Sequence, residues 1–405
     1  MSHSVAMLSV HTSPLDSPGR TRDAGGMNVY IRELAKALSH HHINIDIFTR
    51  RTDESTPQIV QLGRNIRVIH IKAGPVAPIH KHDLAQYLPI FARHVEEFAR
   101  DTSYDVIHSH YWLSGVAGLR LAQQWDVPHV TMFHTLARLK QLAHPGEAEP
   151  ALRLEMEQRL THQVDRIIAA TADERSQIVR FCGVAPTRVE VIPCGVDLKL
   201  FVPHARRQVR KQLGLPLYTP VLLFAGRLDP FKGPDLLLRA AALMKETAQI
   251  LIVGGNPGDD KDLRQLRTLA ADLNIGHRVR FLGARPQQEL PLLYSAADVT
   301  VVPSYHESFG LVAVESLACG TPVVATRAGG LTSVVRQDES GFLVPRCPGF
   351  FAERLDTLLG DPDLYAKMSA AARPSVLQFS WASIADQVHT VYDELIAETS
   401  CLVAQ

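Results

Sequence analysis

The chain has 405 residues, 42 basic and 42 acidic, with 46% hydrophobic and 21% charged residues. That size and composition imply a soluble globular protein of two or three domains. The formal net charge of zero excludes a global electrostatic drive toward nucleic acid or a membrane surface. Five cysteines (Cys182, Cys194, Cys319, Cys347 and Cys401) follow no CxxC spacing, which argues for a reducing compartment and against zinc. The N-terminus lacks a charged-then-apolar signal, and no apolar run approaches the ~20 residues of a spanning helix. A cytoplasmic protein without membrane insertion is expected.

In chain order, Val5 to Val10 reads as a short strand and Val29 to Ser39 as a helix with apolar residues at helical spacing. Strands follow at Ile43 to Thr49 and Ile66 to Ile71, then a helix at Leu84 to Arg100. Val106 to Ser109 and Val130 to Phe133 are strands, Leu152 to Val164 a helix, and Arg166 to Ala170 a strand. Such alternation implies a mostly parallel sheet covered on both faces. A proline-bearing stretch from Val191 to Pro203 marks a linker near residues 195 to 212. The pattern then restarts with strands at Val221 to Ala225, Gln249 to Val253 and Val279 to Leu282, separated by helices at Asp235 to Leu243 and Asp262 to Leu273. A last helix runs from about Trp381 to Thr399. The fold class expected is α/β: two Rossmann-like, doubly wound domains facing a cleft, residues 1–200 and 201–380, followed by a C-terminal segment, 381–405. Ligands in such sheets sit at the carboxyl ends of the strands.

The most informative stretch is HESFGLVAVESLACGTPVVATRAGG. The strand Val299 to Val302 delivers Glu307 into a loop, Ser308-Phe309-Gly310 turns into a helix, and Glu315 falls two turns on. A helix N-terminus binds anions, and carboxylates accept hydrogen bonds from sugar hydroxyls. Together they can hold a diphosphate between two polyols, as in a nucleotide sugar. Arg227 and Lys232, in Phe224-Ala225-Gly226-Arg227-Leu228-Asp229-Pro230-Phe231-Lys232-Gly233, are suited to neutralise a leaving diphosphate. The loop Asp23-Ala24-Gly25-Gly26-Met27-Asn28 follows the first strand, where glycines admit close ligand approach. His134 stands directly after a strand. Asp259-Asp260-Lys261-Asp262 contains an Asp-x-Asp that reads as a helix cap rather than a metal ligand, and His40-His41-His42 reads as three solvated histidines near a helix C-terminus.

On these motifs the chain resembles glycosyltransferase family 4, a retaining family with the GT-B fold, over nearly its whole length. The string HTSP…DAGGMNVY resembles in particular the inositol-phosphate glycosyltransferases of the mycothiol pathway; the related sucrose-phosphate synthases more often carry Gly-Gly-Gln at the glycine loop. The resemblance implies that the C-terminal helix crosses back to the first domain. It also implies a nucleotide-sugar donor, uridine-linked, and no cofactor required for catalysis, magnesium being admissible but not essential. The catalytic group expected is Glu307, His134, Arg227 and Lys232. The donor set expected is Gly26, Arg227, Lys232, Arg285, Glu307, Ser308, Phe309, Gly310, Leu311 and Glu315, with Glu315 on the ribose. The acceptor set expected is Asn28, Lys81, Tyr111, Thr135 and Arg153, in which two cations and two hydroxyls suit a phosphorylated small acceptor. Small molecules are the expected partners, a homodimer is compatible with the sequence, and no nucleic acid is implied.

The favoured reaction is transfer from UDP-N-acetylglucosamine to 1D-myo-inositol 3-phosphate by front-face attack, with domain closure excluding water. The competing reaction is glucosyl transfer to fructose 6-phosphate. A sugar-nucleotide-binding protein without turnover is disfavoured by the intact Glu307, Glu315, Arg227, Lys232 and His134. A lipid-acceptor transferase is disfavoured because Glu96 and Glu97 interrupt any basic face on the helix Leu84 to Arg100.

Overall fold

The structure, a computed structural model, describes residues 3–16, 25–143, 146, 148–255 and 261–403. The chain forms two compact units. Among the described residues, one comprises those up to Asp16, those from Gly26 to Pro193 and those from Trp381 on; the other comprises Gly25 and those from Cys194 to Ser380. Each is a Rossmann-like α/β domain.

The N-terminal unit is built on eight strands: β1 (Ser4–Leu8), β2 (Asn44–Arg50), β3 (Ile59–Gly63), β4 (Ile66–Ile71), β5 (Val106–His110), β6 (His129–Met132), β7 (Arg166–Ala169) and β8 (Val189–Val191). Their order across the sheet is β3-β4-β2-β1-β5-β6-β7-β8. All pairings are parallel except β3 with β4. The inner strands are buried on both faces, as in covered parallel sheets, although β5 and β6 carry buried polar residues (His108, Ser109, His110, His129 and Thr131) among their apolar ones. The sequence pattern misses β3 and β8. The first is a half-exposed edge strand and the second has three residues, so neither presents an apolar run.

The helix expected at Leu84 to Arg100 is shorter: a 3-10 turn covers Lys81–Tyr87 and the α-helix is Leu88–Phe98. Pro89 supplies no N–H and restrains the residue before it, so it fits only in a helix's first turn. The last helix, Trp381–Val403, packs against the first, Gly26–Leu38. Val388, Tyr392 and Leu395 are buried along it.

The C-terminal unit is a six-stranded parallel sheet: β9 (Val221–Ala225), β10 (Gln249–Val253), β11 (Val279–Gly283), β12 (Val299–Val302), β13 (Val323–Thr326) and β14 (Gly341–Val344), in the order β11-β10-β9-β12-β13-β14. Numbered within the unit this is 3-2-1-4-5-6, the dinucleotide-fold order, with its reversal between β9 and β12. At such a reversal the following connections leave in opposite directions, so a crevice opens at the strand carboxyl ends. The equivalent reversal in the N-terminal unit falls between β1 and β5.

Candidate active site

In the C-terminal unit the chain leaves β9 through Gly226-Arg227 and leaves β12 through Pro303 to Glu307, one connection on each side of the strand-order reversal. Asp229 organises the first connection. Its carbonyl and carboxylate both accept from the Lys232 N–H, at 3.1 and 3.2 Å, and its carboxylate pairs with Arg227 Nε at 3.2 Å. Lys232 Nζ then reaches Glu307 Oε1 at 2.7 Å, and Ser304 Oγ donates to the same oxygen at 2.7 Å. Burial alone would push the Glu307 carboxyl up, but the Lys232 charge and the two hydrogen bonds outweigh it and hold it below its usual range. Glu307 is therefore an anion at neutral pH, oriented by two donors from separate connections.

Two glycines make this loop geometry possible. Gly330 N–H donates to Glu307 O at 2.7 Å. A Cβ on Gly329 would lie 2.2 Å from that same oxygen, and one on Gly330 would lie 2.4 Å from Phe309 Cα. The Gly329-Gly330 pair thus acts as a flat surface against which the Glu307–Phe309 loop is pressed. Gly310, with φ of 105°, opens the helix Leu311–Ala318. Ser308, Phe309 and Leu311 stand at this helix entrance.

Glu315, on that helix, is buried, not solvated. Its Oε2 accepts from Tyr294 OH at 2.8 Å, and Gln287 also bonds it. Burial pushes its carboxyl up to about 7, with the bonds from Tyr294 and Gln287 opposing. Tyr294 and Gln287 went unnoticed in the sequence because neither sits in a recognisable motif. Arg285, outside the Glu307 cluster, follows β11; it donates to Leu282 O at 3.0 Å and pairs with Glu289 at 3.4 Å, with 40% of its side chain exposed.

In the N-terminal unit, Tyr111 follows β5 and His134 follows β6, and both have left-handed backbones, φ 73° and 58°. Such conformations are costly for residues with side chains and cluster where a site over-determines them. Tyr111, Thr135 and Arg153 come together. The Arg153 guanidinium lies 4.8 Å over the Tyr111 ring and donates to Thr135 O at 2.5 Å. Arg153 is only 3% exposed and is held by two carboxylates, Glu149 at 2.8 Å and Glu157 at 2.7 Å. Glu149 also takes Lys140, at 2.7 Å. Lys81 opens the 3-10 turn whose next residue, His82, senses the charges of Glu149 and Arg153.

Asn28, fully buried, spends its amide on Thr12 Oγ1 and Ser13 O, both at 2.6 Å, and so fixes the loop after β1. Gly26 begins the helix, whereas Asp23 and Ala24 of the expected glycine loop lie outside the described residues. Asp259 and Asp260 of the Asp-x-Asp motif lie outside them too, and Asp262 sits in the first turn of the helix Lys261–Asp272.

His134, half-buried, borders a group of buried histidines, His108, His110 and His129, that composition could not reveal. His110 Nδ1 lies 3.1 Å from His134 Nε2, the His108 and His110 rings are 4.3 Å apart, and His108 Nδ1 meets Tyr392 OH at 2.6 Å. His129 Nε2 meets Ser109 Oγ at 2.7 Å. Burial brings His108, His129 and His134 down to about 3 and His110 well below its ordinary value, with neighbouring imidazoles adding to the effect at His108, His110 and His134. These rings are neutral in the folded protein and protonate freely in the unfolded one. Stability is therefore full above about pH 6.5 and is lost as pH falls below it. Urea midpoints should drop steadily from pH 7 to pH 5; a flat profile would show that the rings carry protons in the fold. Glu315 has the opposite sign. Its raised value favours the protonated form, so its contribution declines between about 4.5 and about 7 as pH rises. Glu315→Gln should accordingly raise the urea midpoint at pH 8 more than at pH 4.5, and an equal change at both would contradict the buried carboxyl.

A carboxylate and a lysine are thus joined across the strand-order reversal of a doubly wound α/β unit, the place where this class of fold binds ligands. Comparison with known proteins gives the family. Residues 24–200 match Glycosyltransferase Family 4 and residues 205–374 match Glycosyl transferases group 1. The chain is 43% identical over 400 residues to a D-inositol 3-phosphate glycosyltransferase of Xylanimonas cellulosilytica, covering 96% of each chain. It is 43% identical to one of Corynebacterium diphtheriae, covering 97% and 95%. Among solved structures it matches sucrose-phosphate synthase from Thermosynechococcus elongatus at 35% identity and a TM-score of 0.92, covering 98% of this chain and all of that one. Anabaena HepE in complex with UDP and glucose shares the fold at 22% identity and a TM-score of 0.79, with 97% and 100% covered. The chain belongs to glycosyltransferase family 4, with the GT-B fold, and is a nucleotide-sugar-dependent glycosyltransferase.

Proposed function

We propose that the chain transfers N-acetylglucosamine from its UDP-sugar to 1D-myo-inositol 3-phosphate with retention. The observation that carries the reading is the Lys232–Glu307 pair at the carboxyl ends of β9 and β12, joined to the likeness to D-inositol 3-phosphate glycosyltransferases over the full length. Glu307 and the amides of Phe309 and Gly310 hold the transferred sugar, and Glu315 bonds the ribose. Arg227 and Lys232 stabilise the leaving diphosphate, whose charge grows as the bond from C1 to the diphosphate oxygen breaks. The acceptor oxygen bonds C1 on the same face, its proton passes to the departing phosphate, and UDP leaves. His134 supports the sugar or its phosphate as a neutral imidazole. Lys81, Tyr111, Thr135 and Arg153 receive the acceptor phosphate beside Gly26 and Asn28.

A second reading, glucosyl transfer to fructose 6-phosphate, draws on the likeness to sucrose-phosphate synthase. Uridine, adenosine and guanosine diphosphate sugars should be tested against both phosphorylated acceptors, with products detected by mass. Fructose 6-phosphate outperforming inositol 3-phosphate would reverse the order of the two readings.

Because fixed cations stand where a metal would otherwise neutralise the diphosphate, turnover should survive EDTA. Complete loss restored by magnesium or manganese would overturn that role for Arg227 and Lys232. No helix among the described residues is long and apolar enough to cross a membrane. All five cysteines are free thiols, which supports a cytoplasmic setting for the reaction. A homodimer fits this reading and is checked by light scattering.

A further inference from the structure

We propose that His3, His389 and Asp393 form a binding site for a divalent transition-metal ion, which pins the start of the first strand to the C-terminal helix. All three belong to the N-terminal unit. None takes part in the donor or acceptor sets.

His389 and Asp393 are four residues apart on the helix Trp381–Val403 and so project from one face of it. His3 Nε2 lies 2.9 Å from Asp393 Oδ1, and His389 Nε2 lies 3.5 Å from that same oxygen. Ligand atoms bound to one ion at about 2.0–2.2 Å in a tetrahedron stand roughly 3.3 Å apart, and the two observed separations bracket that spacing. One ligand atom from each residue lies within 4.8 Å of the others. The side chains are 20%, 25% and 50% exposed for His3, His389 and Asp393, so an ion can enter and small rotations can close the set.

Further polar groups lie next to the ligands, where an outer shell would form on binding. Asp105 Oδ2 lies 3.9 Å from the opposite nitrogen of His3, Nδ1, and accepts from the Ser4 N–H at 2.7 Å. His41 is not one of three solvated histidines: it pairs with Asp386 at 3.1 Å, and its ring centroid is 4.8 Å from that of His389. Imidazole and carboxylate donors select zinc, cobalt or nickel over calcium. The cysteine spacing that argued against zinc does not bear on a site built from histidine and aspartate.

The test uses the full chain without an affinity tag, stripped with chelator and titrated with Co2+ and then Zn2+. One equivalent should bind, raise the melting temperature and produce cobalt visible bands without thiolate charge-transfer absorption. His389→Ala, His3→Ala and Asp393→Asn should each weaken binding about tenfold or more. His80→Ala, at the separate His80–His82 ring pair, should leave it unchanged. The proposal is overturned if millimolar Co2+ does not bind, if the bound ion shows thiolate absorption, or if affinity ignores His389. A melting temperature shared by ion-free wild type and Asp393→Asn keeps lost binding separate from lost folding.

Discussion

Lys232→Ala should lower kcat/KM by about two to three orders of magnitude, or roughly 2.7–4 kcal/mol, the effect of deleting a donor aimed at developing negative charge. Glu307→Ala should cost a similar factor in kcat while leaving UDP affinity within about threefold, because its proposed partner is the moving sugar rather than the nucleotide. The structure adds a constraint that the sequence could not supply. Lys232 and Glu307 share a 2.7 Å ion pair, so their losses should not add. Removing either leaves the other misdirected, and the double alanine variant should be little worse than the poorer single one. Steady-state kinetics on the four proteins, with calorimetry for UDP, checks this. Losses that multiply would mean that the pair acts at two independent places. Unchanged turnover in Glu307→Ala would remove that carboxylate from the reaction.

Arg153→Ala should be severely destabilising, because it strands Glu149 and Glu157 without their counter-charge. Breaking a buried pair by removing one partner costs about 3–5 kcal/mol, and Arg153 and both its carboxylates are almost fully buried. Adding Glu157→Gln to Arg153→Ala should recover part of the urea midpoint. No recovery would mean that the damage comes from lost packing on Tyr111. This changes how the acceptor pocket must be probed. In the wild type, removing the acceptor's phosphate should cost at least ~100-fold in kcat/KM, about 2.7 kcal/mol. Lys81→Ala and Tyr111→Phe, which leave the arginine and its carboxylates in place, should shrink that penalty without lowering the midpoint. An equal loss on phosphorylated and free inositol in both variants would sink the phosphate pocket.

The family, the α/β class and the two sheets were legible in the sequence because they rest on local patterns. Apolar runs such as Val299–Val302 and Gln249–Val253 are buried on both faces, and each run followed by a glycine-bearing loop and an amphipathic stretch is one unit of a parallel sheet. The motif from Glu307 to Gly330 is contiguous, so the family resemblance it carries could be read before its geometry. Tertiary structure decided everything that depends on residues distant in sequence. Lys232 meets Glu307 across 75 positions, and strand order, not local pattern, puts their connections on either side of one reversal. Glu315 reads as an ordinary helix glutamate until Tyr294 and the surrounding core bury it. Arg153 reads as a free cation until Glu149, just ahead of its helix, and Glu157, one turn along it, close on the buried guanidinium. The left-handed backbones of Tyr111 and His134, the neutral histidines around His110, and the meeting of His3 with Asp393 across 390 positions have no signature in composition or spacing. A side chain's charge state and partners follow from desolvation and contact, and these exist only once the chain is folded.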